Sequence, residues 1–136
     1  MKVLFDIDVM LDVLLAREPW AEDSALLLAA AERKTITGYI AGHTITTAYY
    51  TVTKSVGPGK AAVAVTDLLR ILEVVPVEAA DFAQALVLGM ADFEDAVQAA
   101  AAAKVGAEFI GTRNGKHFKR SPVKAKSPSE LLALLT

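Results

Sequence analysis

The chain has 136 residues, 54% of them hydrophobic and 22% charged, which is enough apolar material for a single folded domain over residues 1–136 and excludes a disordered chain. It has no cysteine, which excludes disulfides and thiolate metal sites. Its formal charge of -2 lacks the strongly basic balance usual in nucleic-acid binders.

Val3-Leu4-Phe5 is a continuous apolar run, as expected of a parallel strand buried on both faces, and Asp6 stands at its carboxyl end. Asp8 is placed to cap a helix carrying Val9, Leu11, Leu14 and Leu15, which stops before Pro19. A second helix is predicted from about Ala21 to Arg33, then a strand over Ile36–Ile40 and a helix from Thr44 towards Lys54. Gly57-Pro58-Gly59 is a break, after which helix resumes at Lys60 with Val65, Leu68, Leu69 and Leu72 on one face. Val74, Val75 and Val77, interrupted by Pro76, predict a short strand near an edge.

Two further helices follow, over about Ala79–Met90 and Asp92–Val105. Phe109 and Ile110 mark a strand ending at Thr112, and Arg113-Asn114-Gly115 reads as a turn. Val123 belongs to a last short strand, and Ser127-Pro128-Ser129-Glu130 has the form of a capping box opening a final helix to Leu135. Strands alternating with helices predict an α/β domain of three layers (α/β/α) with a mainly parallel central sheet. In such sheets ligands bind beyond the carboxyl ends of the strands, where Asp6 and Thr112 fall.

Two acidic clusters lie along this frame: Asp6-Ile7-Asp8, with Asp12 further along the same helix, and Asp92-Phe93-Glu94-Asp95. Asp92 and Asp95 are three apart and share a helix face, whereas Glu94 points elsewhere. Hard oxygen ligands brought from separate segments are what metal-assisted phosphodiester cleavage needs, and without cysteine they favour Mg²⁺ or Mn²⁺ over zinc. Taken singly, Asp8 and Asp92 also serve as helix caps. Asp6 ends a buried strand, where a lone carboxylate is costly without a partner or a metal.

From Lys104 onward seven basic residues (Lys104, Arg113, Lys116, Lys119, Arg120, Lys124, Lys126) face only Glu108 and Glu130, a stripe that reads as a solvated face or a phosphate contact. No long uncharged apolar segment and no signal-peptide pattern is present, so a cytoplasmic chain that does not meet the membrane is expected.

The opening Val3-Leu4-Phe5-Asp6-Ile7-Asp8-Val9-Met10-Leu11-Asp12-Val13-Leu14-Leu15 resembles the start of PIN domains. Arg17-Glu18-Pro19-Trp20, Tyr49-Tyr50, Asp92-Phe93-Glu94-Asp95-Ala96-Val97-Gln98, Thr112-Arg113-Asn114 and the terminal Ser127-Pro128-Ser129-Glu130-Leu131-Leu132 resemble, in the same order, one subgroup of that family. The resemblance, to the toxin ribonucleases of the VapC type, implies Mg²⁺- or Mn²⁺-dependent cleavage of RNA and inhibition by a small antitoxin protein. It also implies a possible homodimer. It casts Asp6, Asp92 and Asp95 as metal ligands and catalytic acids. Asn114 stands where a fourth acid often follows, and Thr112 and Arg113 lie at the substrate rim. Thr47 or Ala48 stands where many such domains carry a glutamate, and His117 where an aspartate commonly precedes Phe118.

Two other readings are open. A PIN fold with this reduced acidic set can serve as a non-catalytic binding module. Phe5-Asp6-Ile7-Asp8 also has the form of the nucleophile motif of haloacid-dehalogenase-like phosphatases, but Val9-Met10 replaces the usual Gly-Thr.

Overall fold

The computed structural model describes residues 1–136, in the order β1 (Lys2–Phe5), α1 (Ile7–Leu14), α2 (Ala21–Glu32), β2 (Thr37–Ala41), α3 (Gly42–Val56), α4 (Pro58–Ile71), β3 (Glu73–Val75), α5 (Ala79–Val87), α6 (Phe93–Lys104), β4 (Phe109–Gly111), a 3₁₀ turn (Gly115–Phe118), β5 (Lys124–Lys126) and α7 (Pro128–Ala133). The five strands form one sheet in the order β3-β2-β1-β4-β5, and every neighbouring pair is parallel. The three-layer expectation holds, with β1 in the centre.

Alternation along β1 separates the two outer layers. Val3 and Phe5 join Val9 and Met10 of α1, Leu27 of α2, Leu68 of α4 and Leu131 of α7 on one face. Leu4 points the other way, into a core with Ile110 of β4, Ala99, Ala101 and Ala102 of α6, and Phe118. The alanines of α6 carry no bulk, so that helix lies close on the sheet. Ala85 of α5 packs in turn on Ala96, Val97 and Ala100 of α6.

Several boundaries differ from the sequence expectation for local reasons. Asp6, not Asp8, takes the N-cap position of α1, yet its side chain caps nothing there. Glycine at 42 lets α3 begin directly at the end of β2, two residues ahead of Thr44. α4 starts at Pro58, whose fixed φ suits a first helical position, preceded by Gly57 at φ +95. α5 ends at Val87, short of Met90, and the chain turns through Gly89 at φ +71. The predicted capping box of α7 is formed by Ser127 and Glu130. No helix is long and apolar enough to cross a membrane.

Candidate active site

β1 is the point at which the strand order reverses, since the chain runs outward through β2 and β3 and then returns to β4 on the other side. Such a switch point opens a crevice at the carboxyl ends of the two strands. The register pairs Phe5 with Gly111, so the next residues, Asp6 and Thr112, emerge side by side. Both are buried, and Thr112 Oγ1 donates to Asp6 Oδ2 at 2.7 Å.

The other Asp6 oxygen is met from α6. Gln98 Nε2 donates to Asp6 Oδ1 at 2.8 Å and lies 3.4 Å from Asp95 Oδ1, while Gln98 Oε1 accepts from the Ile7 backbone N–H. Gln98 is fully buried. Asp8 flanks the other side, where its Oδ2 accepts from Asn114 Nδ2 and stands 3.4 Å from Thr112 Oγ1. The polar groups thus form a row, Asp8–Thr112–Asp6–Gln98–Asp95, with Asp6 in the middle. The Thr112 hydroxyl has one proton, and the short contact assigns it to Asp6. Asp8 Oδ2, 3.4 Å away, is held instead by Asn114 Nδ2.

Burial, and then the neighbouring charge of Asp6, push the Asp8 carboxyl up to about 7 against the pull of Arg113 and Asn114. Burial, Asp6 and Asp92 likewise push Asp95 up to about 6, with His117 acting the other way. His117 Nδ1 lies 3.6 Å from Asp95 Oδ2.

The remaining predicted residues fall into place less uniformly. Asp92 is the N-cap of α6 and accepts from the Asp95 N–H at 2.9 Å, so it shares a cleft wall with Asp95 but is not in the row. Arg113 grips Asp12 through two contacts, Nε to Oδ2 at 2.8 Å and Nη2 to Oδ1 at 3.3 Å, and its guanidinium stacks on Trp20 at 4.1 Å from the ring centroid. Asp12 is completely buried, so this arginine is committed to the fold. Ala48 is buried, and Thr47 faces Glu94, whose Oε2 is 3.5 Å from Thr47 Oγ1. Glu94 therefore points towards the start of α3, where His43 Nε2 also holds its backbone carbonyl.

Gln98 is a supporting residue to which the sequence reading assigned no role, and the reading, which set Arg113 at the substrate rim, did not foresee its pairing with Asp12. For Gln98 a signal was present: it sits three residues after Asp95 on one helix face and just ahead of an unbroken run of alanines.

Residues 2–116 match the PIN domain family. The chain belongs to that family. No curated protein matches the sequence. Among solved structures, this PIN domain is similar to DNA-bound VapBC from Salmonella typhimurium, with a TM-score of 0.73 at 17% identity over 94% of this chain and 98% of that one. It is similar to VapBC2 from Rickettsia felis bound to a promoter DNA fragment, with a TM-score of 0.70 at 19% identity over 93% and 98%. It is also similar to VapC20 of Mycobacterium tuberculosis, a toxin that cleaves the sarcin-ricin loop, with a TM-score of 0.70 at 17% identity over 85% and 92%. At these identities the likeness is one of fold.

A divalent ion fits the donor set of this PIN domain. Asp8 and Asp95 each lie close enough to Asp6 to feel its charge, and Asp8 Oδ1 is buried without any protein partner. No three acids or histidines already surround one point as a closed cage. Mg²⁺ does not require one, since it commonly takes one or two carboxylates and completes its shell with water or substrate phosphate.

Proposed function

We propose that the chain is a Mg²⁺- or Mn²⁺-dependent ribonuclease of the PIN type and the toxin partner of a small antitoxin protein. The observation that carries the reading is the carboxylate row at the sheet's switch point, centred on buried Asp6, in which burial and then the charge of Asp6 raise the flanking Asp8 and Asp95. Asp6 and Asp95 are the residues that would hold the ion, with Asp8 flanking. When bound, a divalent ion supplies Lewis acidity towards water and charge neutralisation at the phosphate. Thr112 and Gln98 each donate to one oxygen of Asp6 and keep it aimed. In the metal-free protein burial and the neighbouring acids hold the Asp95 carboxyl up at about 6, so at neutral pH it is largely unprotonated and able to receive a cation. Asn114 fixes Asp8 from the rim, and Asp92 holds the first turn of α6 so that Asp95 is correctly presented.

The antitoxin part rests on the VapBC assemblies with which the fold is shared, and on Tyr50 of α3 and Val63 of α4, large apolar side chains left mostly exposed. A second reading, a PIN fold kept for binding alone, is favoured by one observation: both oxygens of Asp6 already have protein donors. Titration calorimetry with Mn²⁺ into metal-free protein separates the two. The nuclease reading expects saturable binding that is lost in Asp95→Asn, and no heat of binding in the parent at millimolar Mn²⁺ supports the second. Co-expression with the adjacent reading frame tests the partner, and recovery of the chain alone counts against it.

A further inference from the structure

Beside the carboxylate row lies a cleft of about 460 Å³, and its chemistry is uneven. Asp92 and Asp95 line one wall, and Lys116, His117, Lys119 and Arg120 line the other. The basic wall is built by the segment Gly115-Lys116-His117-Phe118-Lys119-Arg120. Phe118 is buried against Leu4 and Ile110, so it pins the 3₁₀ turn to the core while the residues on either side remain exposed. Ser121 closes the segment, its N–H donating to the Phe118 carbonyl at 3.0 Å and its hydroxyl to the Val123 carbonyl at 2.7 Å. The cations are thus presented from a fixed platform.

Arg120 is also seated. Its side chain lies across Gly89, where an added Cβ would stand 3.1 Å from Nη1 and 3.7 Å from Cδ. Gly89 has φ +71, a conformation that other residues rarely adopt, so the backbone here is shaped in a way that leaves the guanidinium room. None of Lys116, Lys119 and Arg120 has an ion-pair partner, although Asp92 and Asp95 line the same cleft. Their charge is left for a ligand.

We propose that this cleft is the groove for the backbone of a single RNA strand, with Lys116, Lys119 and Arg120 contacting phosphates that neighbour the one held at Asp95. The proposal rests on the ribonuclease reading and specifies how the substrate lies. RNA is favoured over an acidic peptide because the cleft adjoins the carboxylate row, at which the ribonuclease reading places the reacting phosphate.

The test is binding of a fluorescently labelled single-stranded oligoribonucleotide, measured by anisotropy in EDTA across a salt series, so that no cleavage is needed. Each phosphate contact on a single strand contributes about 0.7 to the slope of log affinity against log salt. Lys116→Ala, Lys119→Ala and Arg120→Ala are each expected to flatten the slope by about 0.7. Lys119→Arg should keep it, as should Lys60→Ala on α4, outside the cleft. Gly89→Ala, which changes no charge but presses on Arg120, should weaken binding; thermal melts verify that each variant is folded. RNA binding with the parent slope in all three alanine variants would overturn the groove and leave the ribonuclease reading intact. Absence of both RNA binding and Mn²⁺-dependent cleavage would remove both. Competition by poly-glutamate equal to that of RNA of the same charge would reassign the cleft to an acidic protein partner.

Discussion

Asp8→Asn should stabilise the metal-free protein, and by an amount that grows with pH. In the fold the Asp8 carboxyl titrates near 7, whereas an unperturbed aspartate titrates near 3.8. The folded state therefore holds this proton more tightly than the unfolded state does, and its contribution to stability is fully present below about 4 and lost as pH rises through about 7. At pH 8 both states are ionised and the fold bears the whole cost of a carboxylate crowded against Asp6. At pH 5 the folded side chain is still protonated and most of the cost is absent. Discounted for partial exposure and coupling, the difference between the two conditions is on the order of 2 kcal/mol. Asparagine keeps the shape, can accept from Asn114 and carries no charge. The Tm advantage of the variant over the parent should then widen by roughly 6–10 °C between pH 5 and pH 8, given about 3–5 °C per kcal/mol for a domain of this size. Calorimetric melts in EDTA at pH 5, 6, 7 and 8 measure it. Parallel pH curves for parent and variant would show that Asp8 is not under electrostatic stress.

Arg113→Ala strands the fully buried Asp12 and should cost about 3–5 kcal/mol in urea unfolding. Arg113→Lys keeps the charge but loses the fork and the stack on Trp20, so an intermediate loss of about 1–2 kcal/mol is expected, and equal losses would discount the geometry. Gln98→Leu removes the donor to Asp6 Oδ1 and the acceptor for the Ile7 N–H, for about 2–4 kcal/mol by the same assay. Gln98→Glu should instead lower the metal-free Tm at pH 8 and enlarge the Tm gain on adding Mn²⁺, since it adds a charge only a cation can balance. A smaller Mn²⁺ response than the parent's would contradict that.

The layers, and the gathering of acids at the end of β1 as a candidate site, were legible because they depend on local pattern. The uninterrupted Val3-Leu4-Phe5 run marked a doubly buried strand, and its end marked the crevice. Spacing on α6 placed Asp95, and the Ser127–Glu130 box located α7. What escaped depends on pairing across the chain. Asp12 reads as one more acid on an amphipathic helix until Arg113, 101 residues later, closes on it. Gln98 acquires its role only when α6 lies beneath the end of β1, 92 residues away. Asp8 was read as a cap because a first-turn acid suits a helix dipole, but the chain enters α1 two residues earlier, at Asp6, and Asn114 claims Asp8 from another segment. Glu94 looked averted when only its own helix was considered, and α3 supplies the surface it meets.

The central claim is that the row through Asp6 supports divalent-ion-dependent cleavage of RNA. The most direct measurement is the rate at which the purified chain cuts a labelled single-stranded RNA in Mg²⁺ or Mn²⁺, set against EDTA and against Asp6→Asn. The account predicts cleavage that requires the ion and is lost in Asp6→Asn. Cleavage that persists in EDTA or in the folded Asp6→Asn variant would contradict it, as would an intact RNA in every condition.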